Sequence, residues 1–404
     1  MIWEAKDIKP IIEDKKDNLA FVIGNGINQR FFSDVKSWMG LLESLWNRYN
    51  TNSNSSVSWS KFVDSKSGHL KGITITELFD LIEMNCYYHE DTTDQSLVRY
   101  AAKKHISLKD LDPVTRKGIK QIASERLTKS RDELLQEYKE QFEKLSQKSR
   151  EWCNSNLEDA DGMPDSECIF KLTEVLSNNT KIQLYKGQLK KDIAEEYKLS
   201  KSSNEFNCLL ETISGMNVPI LTTNFDTYMS SSLNLQKRIF NSSKFTDIYP
   251  WNAYYCKIDQ TLTSPTSGFG IWHINGMIDY PRSIKLGLSD YMGCVEHARK
   301  KIHSKNFNEF FDGKNQNSWE GYYTWLHIVF NKQLFIFGLA LDENEVFLRW
   351  LLIQRAKYSK MYHRGLAGWF VDKGISDGKR AFLEALGFVV IDITNYDDLY
   401  HAFN

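Results

Sequence analysis

Four short runs in this sequence place polar and glycine residues directly after apolar stretches, and each carries groups able to orient or activate a small ligand. Thr222-Thr223-Asn224-Phe225-Asp226 puts two hydroxyls, an amide and a carboxylate in succession. An asparagine orients a sugar hydroxyl and a water by hydrogen bonds, while an aspartate fixes neighbouring loops or offsets positive charge on a bound ring. The same Asn and Asp could instead cap a following helix. In Ile271-Trp272-His273-Ile274-Asn275-Gly276, the two-residue alternation of a strand puts His273 and Asn275 on one face. A histidine titrates near neutrality and suits a general base acting on water or a sugar hydroxyl, although a lone histidine is more often a hydrogen-bonded structural residue.

Gly24-Asn25-Gly26-Ile27-Asn28 supplies glycines for a tight turn and for close backbone approach to a phosphate, with amides at the next helix start facing the anion. The third glycine of the usual dinucleotide fingerprint is missing, so a plain strand-to-helix turn explains the pattern equally well. Gly338-Leu339-Ala340-Leu341-Asp342 offers a glycine for close approach and a carboxylate that could cap a helix or hold a ribose hydroxyl.

The elements that must position these runs are legible as apolar stretches. Leu19-Ala20-Phe21-Val22-Ile23, Val218-Pro219-Ile220-Leu221-Thr222, Gly270-Ile271-Trp272-His273-Ile274 and Gln333-Leu334-Phe335-Ile336-Phe337-Gly338 each read as a buried strand ending in polar or glycine residues. Ala367-Gly368-Trp369-Phe370-Val371 and Gly387-Phe388-Val389-Val390-Ile391-Asp392 close the chain in the same way. With helical patterns between them, these strands imply an α/β fold, a Rossmann-like doubly wound and mostly parallel sheet. Ligands of such sheets sit beyond the carboxyl ends of the strands, where the four runs fall.

Strand signals are scarce between about 96 and 197, and residues 125–150 mix Lys and Glu around spaced apolar positions. The expected organisation is a discontinuous domain of residues 1–85 and 206–404, with 86–205 forming a large helical insertion. The insertion is either a solvated helical face or a lid or assembly interface.

Composition narrows the function classes. The 404 residues are 41% apolar and 13% aromatic, ordinary for a globular chain with a large core. With 51 basic against 52 acidic residues the formal net charge is −1, so no overall field favours direct nucleic-acid binding or an anionic membrane. No window reaches the roughly 18 apolar residues of a membrane span, and the start of the chain lacks a leader pattern, so a cytoplasmic location is expected. The six cysteines form no Cys-x-x-Cys knuckle and the histidines show no metal-ligand spacing, so neither zinc nor another metal is expected. A Gly-x-Ser-x-Gly elbow and a Gly-x-x-x-x-Gly-Lys phosphate loop are also missing.

Taken in chain order, Gly24-Asn25-Gly26-Ile27-Asn28, Thr222-Thr223-Asn224-Phe225-Asp226, the run from His273 to Gly276 and the run from Gly338 to Asp342 resemble the successive NAD-site motifs of the sirtuin family. Within it the chain looks like the divergent bacterial branch of antiphage NADases, which Ser289-Asp290-Tyr291 and the 392–399 stretch also fit. The resemblance covers roughly residues 18–85 and 206–404.

It implies NAD+ as substrate, bound by Gly24, Asn25, Gly26, Ile27, Asn28, Thr222, Thr223, Asn275, Gly338 and Asp342. It also implies that Asn224 is the catalytic asparagine and Asp226 the acidic residue of the same motif. The family has a histidine directly before the glycine that corresponds to Gly276; here Asn275 stands there and the histidine lies two residues earlier, so His273 is the expected general base. Sirtuin deacylases carry four zinc cysteines that this chain lacks, which leaves hydrolysis of the nicotinamide–ribose bond to nicotinamide and ADP-ribose. In the antiphage branch such an activity depletes NAD+ and aborts infection. It would be restrained by self-assembly into a homo-oligomer or by a regulatory defence partner, such as a HerA-type ATPase or a nucleotide-sensing subunit. The alternative is a module that senses NAD or an ADP-ribose derivative without turnover.

Overall fold

A computed structural model describes residues 4–33, 35–50, 57–64, 70–87, 189–197 and 203–403, together with scattered residues between 114 and 173. The chain divides into two compact units, one of Met1–Ile82 and Lys190–Asn404 and the other of Glu83–Leu189. In the second unit Arg131–Glu137 forms a helix. Among the described residues no helix is long and apolar enough to cross a membrane.

The first unit is built on an eight-stranded sheet. Its strands are β1 (Leu19–Ile23), β2 (Ile220–Thr222), β3 (Gln236–Ile239), β4 (Ala253–Cys256), β5 (Ile271–His273), β6 (Gln333–Phe337), β7 (Gly368–Asp372) and β8 (Phe388–Asp392). They lie side by side in the order β3-β4-β5-β2-β1-β6-β7-β8. Every pairing from β5 to β8 is parallel, whereas β3–β4 and β4–β5 are antiparallel. The fold is therefore α/β and Rossmann-like, a mostly parallel sheet with helices on its faces.

The β1 strand explains why such runs are apolar throughout. All five of its residues are buried, with Ala20 and Val22 packed into the core under one face and Leu19, Phe21 and Ile23 into the core under the other. A strand covered by helices on both sides leaves no solvent face for polar residues. The outermost strand β3 is the opposite case. Gln236 and Lys237 are exposed, and this polar edge strand resists pairing with another chain. It and β4 were not among the strands expected from sequence: β3 is a polar four-residue edge with no apolar run to detect, whereas β4 is a short, fully buried run, Ala253-Tyr254-Tyr255-Cys256, that was not anticipated.

Register fixes where the chemistry can lie. His273 pairs with Thr222, Thr222 with Ile23, Ile23 with Phe337 and Phe337 with Val371, so the carboxyl ends of five strands form one row. The chain passes from β1 to β2 and out to the edge at β3, returns through β4 to β5, then crosses to the other side of β1 for β6, β7 and β8. The reversal of direction falls between β1 and β6, where an open parallel sheet leaves its ligand crevice.

Candidate active site

The loops after β1 and β6 are locked to each other. Gly24 N donates to Phe337 O at 3.1 Å and Gly26 N to Gly338 O at 2.8 Å. A β-carbon on Gly26 would lie 2.9 Å from the Gly338 Cα, and one on Gly24 would lie 2.8 Å from the Leu339 Cα. Gly338 itself has φ of +64°, a left-handed conformation that side chains disfavour. The glycines thus answer to the approach of two backbones, and the Ile27 amide turns back to Gly24 O at 3.4 Å. Those amides are engaged within the protein rather than pointed at an anion. Gly24→Ala is expected to lower stability by roughly 1–3 kcal/mol, the usual cost of forcing atoms into packed space. Thermal unfolding measures this, and an unchanged midpoint would show that the two loops are not in contact.

The loop after β2 is tied to β1 by its threonines. Thr222 Oγ1 donates to Ile23 O at 3.0 Å, and the Thr223 amide donates to the same carbonyl at 3.1 Å. The Asn224 backbone N–H in turn donates to Thr222 Oγ1 at 3.1 Å. Asp226 is held from two sides, accepting from the Tyr228 amide at 3.0 Å and from Asn28 Nδ2 at 2.8 Å. Burial pushes its pKa up to about 6 against the lowering effect of those bonds. Asp226 therefore satisfies the first amide of the helix Tyr228–Ser232 from the residue before its N-cap, Thr227. Asn224 makes no such bond: its side chain is buried, and among the described residues neither Oδ1 nor Nδ2 has a hydrogen-bond partner.

His273 ends β5 and reaches the same loop. Its Nδ1 lies 2.7 Å from the Asn224 carbonyl oxygen, which can only accept, so Nδ1 carries the proton and Nε2 presents its lone pair. Nε2 is buried and has no partner among the described residues. Burial drives the pKa down to about 4, so the ring is neutral at physiological pH. Asn275, two residues on, is also buried, and its backbone carbonyl accepts from the Lys285 amide at 2.9 Å. Its side-chain amide lies beside the Glu345 carboxyl and acts to lower that acid's pKa, without closing a hydrogen bond of good geometry.

At the reversal point between β1 and β6 lies a cavity of about 460 Å³. Asn25, Gly26, Gly338 and Asp342 line it, and with them Arg30, Trp38, Tyr291, Glu345, Asp372 and Tyr396. Asn224, Asp226, His273 and Asn275 are not on its wall. They are joined to it by two contacts: Asn28 Nδ2 reaches Asn25 Oδ1 at 3.3 Å while also holding Asp226, and Glu345 faces Asn275. Gly24, Ile27, Thr222 and Thr223 serve the packing and hydrogen bonding of the loops beneath.

Three charged residues on the wall, Arg30, Asp372 and Glu345, were not anticipated from sequence. Arg30 pairs with Asp397 at 2.8 Å, a contact between residues far apart in the chain. Glu345 sits in the acidic run Asp342-Glu343-Asn344-Glu345, where composition cannot say which carboxyl turns inward. Among the described residues, no group of three or more His, Cys, Asp or Glu side chains gathers to hold a metal. Compared with known proteins, the chain matches no protein-family model and has no significant match among curated proteins.

Proposed function

We propose that the protein is an NAD+ glycohydrolase that cleaves the nicotinamide–ribose bond to give nicotinamide and ADP-ribose. The observation that carries this reading is the pair of buried groups at the strand ends without partners among the described residues, the Asn224 amide and His273 Nε2, next to a cavity at the reversal point of a doubly wound sheet. Buried polar atoms are nearly always hydrogen-bonded, and each one left alone costs about 1–3 kcal/mol. Retaining several together fits a polar substrate that supplies the missing partners. An amide offering a donor and an acceptor suits the ribose hydroxyls and the attacking water.

In this proposal the dinucleotide lies in the cavity against Asn25, Gly26 and Gly338, and its nicotinamide riboside end points inward to Asn224. Asp226 and Asn28 hold the loop that carries Asn224, and His273 fixes that loop through its carbonyl while presenting an acceptor nitrogen. The chemistry is a leaving pyridine, a cationic sugar in transit and capture by water, which needs preorganised dipoles and dry walls rather than a metal. A homo-oligomer or a regulatory partner, of the HerA-type ATPase or nucleotide-sensing kind, would restrain the activity in an antiphage setting.

Purified protein incubated with NAD+, alone and with a candidate partner, is expected to release nicotinamide in step with ADP-ribose, read by liquid chromatography. A second reading, a sensor that binds NAD+ without turnover, is favoured by one observation: the reactive side chains lie behind the cavity wall rather than on it. Tight binding with no nicotinamide under any condition would select it.

A further inference from the structure

We propose that Glu345, between Asp342 and Asn275 on the wall of the cavity, is the group that takes the proton from the attacking water. This role rests on the NAD+-hydrolase reading and gives that reaction its base. Glu345 is the residue directly before the helix Val346–Met361, and it lines the cavity that His273 does not reach. Its Oε2 is buried and has no hydrogen-bond partner among the described residues. The residue it faces, Asn275, cannot accept a proton at neutral pH but can donate a hydrogen bond from its amide and so favour the ionised carboxyl. The side chains that act on Glu345 come from three elements: Asp342 from its own loop, Asn275 from the end of β5, and Tyr291 from the helix Leu288–Ile302. Tyr291 is held neutral, its phenol pushed well above the usual range by burial first and then by Glu345 and its neighbours.

His273 is a poor alternative for the same proton. Its Nδ1 is committed to the Asn224 carbonyl, and burial leaves Nε2 with little affinity for a proton. Glu345 is displaced the opposite way: burial, and then the Asp342 charge, lift its pKa to about 7. A carboxylate of that strength is matched to proton transfer near neutral pH.

The step balances with water as the one co-reactant. As the C1′–N bond breaks, its electron pair moves to the pyridinium nitrogen, and nicotinamide leaves neutral. The water oxygen forms the new C1′–O bond and gives one proton to the Glu345 carboxylate, which later returns it to solvent through the cavity. One NAD+ and one water thus yield nicotinamide, ADP-ribose and a proton.

The test is the pH dependence of nicotinamide release for the wild type, Glu345→Gln, Glu345→Asp and His273→Ala, with NAD+ affinity measured alongside. The base must be ionised, so wild-type kcat is expected to climb about tenfold per pH unit below about 7 and to level above it. Glu345→Gln is expected to lose at least about 100-fold in kcat, with little change in NAD+ affinity, and to lose the rising limb. Glu345→Asp, which keeps a carboxyl, retains a limb at reduced rate, and His273→Ala retains the wild-type limb. A limb unchanged in Glu345→Gln, or lost in His273→Ala alone, overturns the role of Glu345 and leaves the hydrolase reading standing. A wild type that binds NAD+ and never releases nicotinamide overturns both.

Discussion

Asn224→Ala is expected to reduce nicotinamide release by about 10³-fold, the scale set by deleting one preorganised hydrogen-bonding group from an active site. The same variant should unfold at a temperature equal to or above that of the wild type. Both signs come from one fact: the Asn224 amide is buried with neither of its atoms partnered among the described residues. A buried amide serving the fold would be bonded, and its loss would leave a partner stranded. Here removal strands nothing and relieves a desolvated dipole, whereas the ligand loses its contacts. The neighbouring Asn28 predicts the opposite pattern, because its Nδ2 satisfies the buried Asp226 carboxyl at 2.8 Å and its deletion would destabilise the loop. Chromatographic assay and thermal unfolding of Asn224→Ala decide the matter together. Retained activity, or a clear drop in the unfolding midpoint, would move Asn224 from the substrate to the scaffold.

Most of the central sheet was readable because a strand buried on both faces is largely apolar along its length, as in β1, β2, β5, β6 and β7; β8, at the sheet edge, shows an apolar run although its Val389 is exposed. Their polar endings were readable for the complementary reason that the row of strand ends is where side chains stop packing and meet a crevice. What the sequence withheld was the direction of each group. Glycine type at 24 and 26 signals a close approach, yet only the fold reveals that the approaching backbone is Gly338. Histidine type at 273 signals a base near neutrality, yet burial against the Asn224 carbonyl takes that basicity away. Glu343 and Glu345 are indistinguishable by composition, and the left-handed turn at Leu341, φ +49°, precedes the loop that leaves one exposed and brings the other to the cavity.

Arg355→Ala is expected to be the most damaging single change to the fold, costing on the order of 3–5 kcal/mol. The guanidinium is 1% exposed and makes no ion pair among the described residues; it is spent on four main-chain carbonyls. Nε donates to Val329 O at 2.9 Å and Nη2 to Lys332 O at 3.0 Å, both at the C-terminal end of the helix Trp325–Asn331. Nη1 donates to Leu366 O at 3.2 Å and Nη2 to Ala367 O at 3.0 Å, just before β7. Burial pulls its pKa down to about 9, which still leaves a cation at neutral pH, and each of these bonds is charge-assisted. Alanine would take the donor from four carbonyls at once, the contact to Val329 buried and the other three part-buried. Lysine would keep the charge but gather its donors on one nitrogen, which cannot serve carbonyls on two separate segments, so Arg355→Lys should recover only part of the loss. Denaturant unfolding of the three proteins measures the order, and a lysine variant as stable as the wild type would show that charge alone matters. The effect extends to chemistry, because Arg355 anchors the helix Val346–Met361, and Glu345 stands directly before its first residue. A partly destabilised but folded Arg355→Lys should therefore release nicotinamide more slowly, since a carboxyl on a loosened helix end spends less time within reach of the water it must deprotonate.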